Sequence, residues 1–207
     1  MSGLAKIAVI SCTHCPFMPP ETKEWVLNTL SNIKGLTHFG HLGDLHEASA
    51  GSVHPNEYTH TLEDEYEHSH NLLSSLRAVL PSSCHRWVNM GNHDDNILAS
   101  DPRRVPRSLR GLVDWRRHPE FGEEFRKWYW VPYQKSLKGS YKVGPCIFYH
   151  GFDAGQSSDE LEALQFANFL GGYPHLLLVR GHTHRPVPPT QCRRTKSIPL
   201  PWHYANV

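Results

Sequence analysis

The stretch LTHFGHLGDLHE, residues 36–47, places an apolar run directly before a short polar segment that contains an aspartate and a glutamate. Such a run is typical of a buried strand, and the Gly-Asp pair that follows it is typical of a turn. Similar strand-and-loop stretches are AKIAVISCTH, residues 5–14, and HRWVNMGNHDD, residues 85–95. Helical patterns separate them. This alternation predicts an α/β fold, in which ligands gather at the carboxyl ends of the strands.

Three segments have the periodicity and the end signals of helices, namely residues 20–35, 57–81 and 157–172. Residues 95–138 interrupt the alternation because they are rich in arginine, tryptophan and proline, and we expect helices near residues 106–117 and 119–130. We interpret residues 95–138 as a cap inserted into a single domain that covers residues 1–207.

Composition excludes several classes of protein. The chain has 21 basic and 20 acidic residues, so no overall field selects nucleic acid or an anionic membrane. No apolar run approaches the roughly 20 residues of a membrane span, and the first apolar segment is too short for a secretory signal. Five scattered cysteines fit a reducing compartment better than a disulfide framework. We therefore expect a cytoplasmic protein with no membrane partner.

Sixteen histidines are the unusual feature of the composition, because imidazole is the commonest metal ligand. Five predicted strands end in CTH, GDLHE, GNHD, HG and GHTH, and each of these segments offers a potential ligand. Any one of them could be an ordinary turn or a hydrogen-bonded core histidine. Five together predict a metal site at the carboxyl ends of the strands.

The five segments resemble the calcineurin-like metallophosphoesterase family, whose pattern is D-x-H, GD-x-x-D/E, GNH-D/E, H and GH-x-H. The resemblance runs from residue 5 to about residue 186, outside the insert. The first motif departs from the pattern because Cys12 stands in place of its aspartate. Phage-encoded members have a similar insert after GNH-D/E. The resemblance implies a four-layer α-β-β-α sandwich of two mixed β-sheets flanked by helices, and it leaves open whether PWHYANV, residues 201–207, supplies a final strand.

The resemblance also implies a dinuclear centre. The first metal would be held by Cys12, His14, Asp44 and His184, and the second by Asp44 as a bridge with Asn92, His150 and His182. The cofactors would be two divalent or trivalent ions of zinc, iron or manganese. A thiolate at Cys12 favours zinc or iron at the first site because sulfur is a soft ligand.

The activity implied is hydrolysis of phosphomonoesters or phosphodiesters, with a metal-activated hydroxide as the nucleophile. His93 would assist the leaving group, and Glu47 matches the carboxylate that orients it. Glu47 could instead be an ordinary helix-start carboxylate. A non-catalytic metal-binding or interaction module with a degenerate first site, or a nuclease, stays open as an alternative.

Cys12 and Cys15 also form a C-x-x-C pair. A zinc ribbon needs a second such pair, c-type haem attachment needs a histidine where Pro16 stands, and a thioredoxin-like dithiol leaves four motifs unexplained. Strand-end placement favours Cys12 as a ligand. A small buried filler, with the first metal held by the other three residues, stays open.

Substrate choice is expected to depend on the insert. Its stretch RRVPRSLRGLVDWRRH, residues 103–118, begins with Arg103, Arg104 and Arg107, which we predict to bind the phosphate of a small molecule or nucleotide. The same arginines could contact a nucleic-acid backbone, or they could form an ordinary solvated face. The aromatic run WYWVPY, residues 128–133, either stacks on a base or belongs to the core.

Overall fold

A computed structural model describes residues 4–49, 60–98, 113–152, 162–163, 165–167, 177–191 and 203–207. Within these ranges the strands form two sheets. The first sheet contains β1 (Ile7–Ile10), β2 (His38–His41), β3 (His85–Asn89) and β4 (Tyr129–Val131). The second contains β5 (Tyr141–Val143), β6 (Cys146–Tyr149), β7 (Leu177–Arg180), β8 (Val187–Gln191) and β9 (His203–Asn206).

The helices follow the strands of the first sheet. They are α1 (Pro20–Ser31), α2 (Leu62–Val79), α3 (Asn92–Leu98) and the short α4 (Gly122–Phe125). Proline opens α1, where its missing N–H costs nothing. A capping box opens α2, in which Thr61 and Asp64 satisfy each other's backbone N–H groups. Residues 162–163 and 165–167 are also helical.

The two sheets differ in strand direction. The first has the order β1-β2-β3-β4 and is parallel at every described pairing, whereas the second has the order β5-β6-β7-β9-β8 with antiparallel strands at both edges. The α/β class is therefore confirmed, but our prediction of two mixed sheets is wrong for the first sheet. The reason is that helical connections return each strand of the first sheet in the same direction.

Apolar side chains are buried on both faces of the first sheet. One cluster lies between this sheet and its helices and includes Phe39, Leu30 and Leu73. A second cluster joins the two sheets, because Trp87 of β3 stacks on Tyr141 of β5 with ring centroids 4.2 Å apart. Side chains of the two sheets therefore share one buried cluster.

The outer face of the second sheet has its own cluster. Tyr149 of β6 stacks on Phe166 with ring centroids 4.1 Å apart, and Ala163 and Leu178 are buried beside them. The segment predicted as a helix over residues 157–172 thus packs on the second sheet in the part that is described.

The end of the segment predicted as a cap belongs to the main fold. Residues 129–131 form β4, which pairs with β3, so the helix predicted over residues 119–130 is wrong at its end. Aromatic and β-branched residues favour strands, and pairing with β3 satisfies their backbone groups. In the aromatic run, Trp128 and Val131 are buried in the core, Trp130 and Tyr133 pack against it, and Tyr129 is 63% exposed, so the core interpretation is confirmed for part of the run. Residues 99–112, including most of the predicted arginine cluster, lie outside the described residues.

The final strand that the sequence left open is present. β9 lies between β7 and β8 in the second sheet. Just beyond it, the Ser11 hydroxyl donates a hydrogen bond to the carbonyl of Val207 at 2.7 Å. The strand thus reaches the loop that follows β1.

Across the described part of the chain, no helix combines the length and the apolarity needed to cross a bilayer.

Acid should destabilise the fold through His41. This imidazole is fully buried, its Nε2 lies 2.9 Å from the Thr13 hydroxyl, and burial lowers its pKa to about 4. As the pH is lowered from 6.5 to 4, the unfolded chain binds a proton at His41 that the folded chain does not. The free energy of unfolding should therefore decrease as the pH is lowered through this range. We expect His41→Phe to reduce this fall in urea titrations of the metal-free protein. His203→Phe, at an exposed position of β9, should leave it unchanged; equal slopes in all three proteins would contradict the prediction.

Candidate metal centre

The loops after β1 and β2 are held together along their backbones. The N–H groups of Cys12, His14 and Cys15 donate to the carbonyls of Gly43, Asp44 and Leu45, at distances of 2.8–2.9 Å. These bonds continue the parallel pairing of β1 with β2 beyond the ends of the strands. The first two motifs of the sequence are therefore fixed against each other.

Backbone strain is concentrated at the same place. Positive φ is uncommon for residues other than glycine and costs about 1–3 kcal/mol at each position. Among the described non-glycine residues it occurs at Cys12 (52°), His14 (43°), Asp44 (53°), Ala48 (52°), His182 (77°) and His184 (52°). All but Ala48 are predicted metal ligands. Strain of this kind persists where a site requires particular side-chain directions.

One group of ligand atoms surrounds His150, which follows β6. Its Nδ1 donates to the carbonyl of Leu42 at 2.7 Å. Its Nε2 lies 3.1 Å from Asp44 Oδ2, from Asn92 Oδ1 and from His182 Nδ1. These four residues are the predicted ligands of the second metal, and the structure brings them together.

A second group surrounds His14. Its Nδ1 lies 2.7 Å from the Glu47 carboxylate, so this nitrogen carries the proton. Its Nε2 lies 3.2 Å from His184 Nε2 and 3.7 Å from Asp44 Oδ2. The Cys12 sulfur is within 4.8 Å of ring nitrogens of both histidines. These are the predicted ligands of the first metal, and they too meet.

The pKa values of His14 and His150 are raised by the negative charge of the groups around them. Burial lowers the pKa of His14, but hydrogen bonds with Cys12 and Glu47 and the charge of Asp44 raise it overall to about 10. Burial likewise opposes protonation of His150, yet the charge of Asp44 raises its pKa. A positive charge is therefore favoured beside Asp44.

The other two histidines stay neutral near pH 7. Burial, and then the neighbouring His150, lower the pKa of His182 to about 4. Burial and the neighbouring His14 lower the pKa of His184. Neutral imidazole is the form that binds metals.

The donor set fits a metal better than it fits protons. With Nδ1 donating to a carbonyl, His150 turns its Nε2 lone pair toward an aspartate oxygen and an amide oxygen, both of which are acceptors. A proton on Nε2 can form a good hydrogen bond with only one of them. A cation satisfies all of these atoms together, and mixed nitrogen, oxygen and sulfur ligands suit zinc or iron.

Two glycines allow the close approach. A Cβ on Gly91 would lie 2.0 Å from Asp44 Oδ1, and a Cβ on Gly43 would lie 2.4 Å from His150 Nδ1. Gly43 also has a φ of 97°, which other residues rarely adopt. The glycines of the GD and GNH motifs thus make room for the ligands.

Glu47 contacts His93 with its backbone and, at a longer distance, with its side chain. We expected the Glu47 carboxylate to orient His93, but that carboxylate is 2.7 Å from His14 Nδ1 and 3.5 Å from His93 Nδ1. His93 Nδ1 instead donates to the backbone carbonyl of Glu47 at 2.7 Å. Glu47 therefore holds a candidate metal ligand with its side chain and the candidate acid with its backbone.

Asp94 is a residue of the site that the sequence analysis did not assign. Its buried carboxylate accepts hydrogen bonds from the backbone N–H groups of Leu45, His46 and Gly91 and from the His46 ring. It thereby ties the loop after β2 to the start of α3. The signal was the GNHD motif itself, whose final aspartate was given no role.

A cavity of about 330 Å³ lies beside the centre. Cys12 and His14 line one side of it, and Phe17, Met18 and Val26 line another. The predicted substrate-binding residues Arg103, Arg104 and Arg107 lie outside the described residues.

Comparison of the chain with family models, with curated proteins and with solved structures found no match. The function is therefore argued from the residues of the centre and their geometry.

Replacing Asp94 should loosen both the fold and the centre. Asp94→Ala leaves three buried N–H groups and the His46 ring without their acceptor, so we expect a loss of about 3–5 kcal/mol in the free energy of unfolding. Zinc affinity should fall as well, because Asp44 lies in the loop that Asp94 holds. Glu67→Ala, an exposed carboxylate of α2, is the control and should change stability by less than about 0.5 kcal/mol. A loss below about 1 kcal/mol for Asp94→Ala would show that the carboxylate does not hold the loops.

Proposed function

We propose that the chain is a metal-dependent phosphoesterase of the calcineurin-like metallophosphoesterase type, which hydrolyses phosphomonoesters or phosphodiesters. The observation that carries the proposal is a set of three contacts at one nitrogen atom, Nε2 of His150. Asp44 Oδ2, Asn92 Oδ1 and His182 Nδ1 each lie 3.1 Å from it. The group around His14 shares Asp44 with it. Two cation sites joined by one carboxylate are what phosphoester hydrolysis by a dinuclear centre requires.

The proposal includes the fold of that family, a four-layer α-β-β-α sandwich in one domain. It is supported by the core that joins the two sheets and by the helical segments that pack on their outer faces. Residues 95–138 would be an insertion whose end rejoins the first sheet as β4. A cytoplasmic location fits the free thiols of the four described cysteines.

The cofactors would be two ions of zinc, iron or manganese. Cys12, His14, Asp44 and His184 would hold one, and Asp44, Asn92, His150 and His182 would hold the other. When bound, such a pair supplies Lewis acidity toward the phosphate oxygens and lowers the pKa of water.

The two carboxylate oxygens of Asp44 have different partners, and this fixes the position of the shared carboxylate. The backbone N–H of His93 donates to Oδ1 at 3.0 Å, while Oδ2 faces His150 and His14. Burial raises the pKa of Asp44, but the charge and hydrogen bond of His150 hold it below its usual range. The carboxylate therefore stays ionised at neutral pH.

His93 is placed to exchange a proton with the substrate. Its Nδ1 proton is committed to the carbonyl of Glu47, so Nε2 is the atom that gives or takes a proton. The side chain is 30% exposed, and its ring lies 4.7 Å from that of His14 between centroids. It would protonate the leaving oxygen or donate a hydrogen bond to the phosphoryl group.

The substrate would be a phosphorylated small molecule or a nucleotide. The cavity beside Cys12 and His14 offers apolar contacts to the substituent of the ester through Phe17 and Met18. Recognition of a further phosphate, or of a nucleic-acid backbone, by Arg103, Arg104 and Arg107 stays a prediction.

One variant should lose turnover but keep its metal ions, and another should lose both. The protein reloaded with zinc, iron or manganese should hold two ions and hydrolyse p-nitrophenyl phosphate or bis(p-nitrophenyl) phosphate. His93→Asn should keep both ions and lose about 10²–10⁴-fold in kcat, because it removes a proton donor. Asp44→Asn should lose metal as well as activity, because it removes the shared charge. Metal analysis and steady-state kinetics on both esters measure these effects.

His68→Asn is the matched control, since His68 is an exposed histidine of α2, and it should match the wild type in both measurements. A protein that holds two ions and hydrolyses neither ester would favour the non-catalytic alternative. Activity on oligonucleotides alone would favour a nuclease.

A further inference from the structure

The sulfur of Cys12 lies between the two groups of candidate ligands. It is within 4.8 Å of ring nitrogens of His14 and His184. It is also within 4.8 Å of a carboxylate oxygen of Asp44, which the two groups share, and of a ring nitrogen of His150, which belongs to the second group. The family resemblance gives this position to the first metal alone.

The position of the sulfur is fixed from two directions. The backbone N–H of Cys12 donates to the carbonyl of Gly43, and the residue has a φ of 52°. From the loop after β7, the N–H of His182 donates to Cys12 Sγ at 3.1 Å, which is short for a contact to sulfur. Backbone donors of this kind orient metal ligands.

A packing role does not account for these surroundings. A buried filler thiol would be enclosed by apolar side chains, as Cys84 is in the core cluster. Cys12 is only partly buried, and the atoms grouped with its sulfur are imidazole nitrogens and a carboxylate oxygen. Sulfur therefore stands where a ligand common to both groups would stand.

We propose that Cys12 Sγ is a ligand to both metal ions, in addition to the carboxylate of Asp44. A thiolate has more than one lone pair and can bind two cations at once. Because it is a soft ligand, the pair of ions would be of a thiophilic class such as Zn²⁺, Fe²⁺, Co²⁺ or Cd²⁺. The inference rests on the metal centre of the proposed function and is independent of the reaction catalysed there.

X-ray absorption of the zinc-loaded protein tests the proposal. A sulfur bound to zinc gives a scattering shell at about 2.3 Å. If both ions bind Cys12, the average number of sulfur ligands is about one for each zinc. If Cys12 binds only one of the two ions, the average is about one half, and if it only packs, the average is zero. Two bound ions with one sulfur each is the expected result. An average of one half or less overturns the proposal.

Two variants assign the shell to Cys12. Cys12→Asp should keep two ions, lose the sulfur shell and shift the relative affinity from Cd²⁺ toward Mn²⁺. Cys15→Ser removes the neighbouring thiol and should keep the shell. If Cys12→Asp does not fold, the sulfur count of the wild type together with that of Cys15→Ser decides the question.

The outcomes also separate this proposal from the proposed function. A shared sulfur in a protein without turnover would contradict the phosphoesterase activity alone. Turnover with one half sulfur for each zinc would contradict the shared thiolate alone. Fewer than two bound ions would overturn both.

Discussion

The buried charge of Asp44 is the constraint on which the centre depends. An ionised carboxylate that is 2% exposed is costly unless donors and positive groups surround it. The N–H of His93 and the rings of His150 and His14 supply them, and each comes from a different loop. The buried charge of Asp44 is therefore stabilised only when groups from three motifs of the chain lie next to it.

The rest of the architecture holds these loops in place. The backbone bonds between the loops after β1 and β2, and the carboxylate of Asp94 between the second loop and α3, leave little freedom to relax. This explains how positive φ persists at Cys12, His14 and Asp44. Strain of about 1–3 kcal/mol at each is tolerated only where the surrounding bonds determine the backbone. Stability and ligand geometry are thus set by the same hydrogen bonds.

The sequence predicted which side chains lie together but not the contacts around them. Strand periodicity predicts that the loops after β2 and β3 meet at one edge of a sheet, whereas the approach of His150 from the second sheet was implied only by the family resemblance. The partner of Glu47 depends on side-chain rotamers and on the course of a loop, which no periodicity encodes. The same holds for the pair of His46 with Asp94. β4 was missed because its three residues lie just after a short helix and the first two were assigned to it, although aromatic and β-branched residues favour strands.

The contact between Ser11 and Val207 has a consequence for the order of assembly. It joins residues 196 positions apart, beside the loop that carries Cys12. Pairings this distant in the chain form after local ones, because the entropy of closing the loop must first be offset. β9, which carries the chain to this contact, lies between β7 and β8 in the second sheet. We infer that the scaffold around α1 and α2 is built early in folding, and that the pocket for the ions closes among the last events.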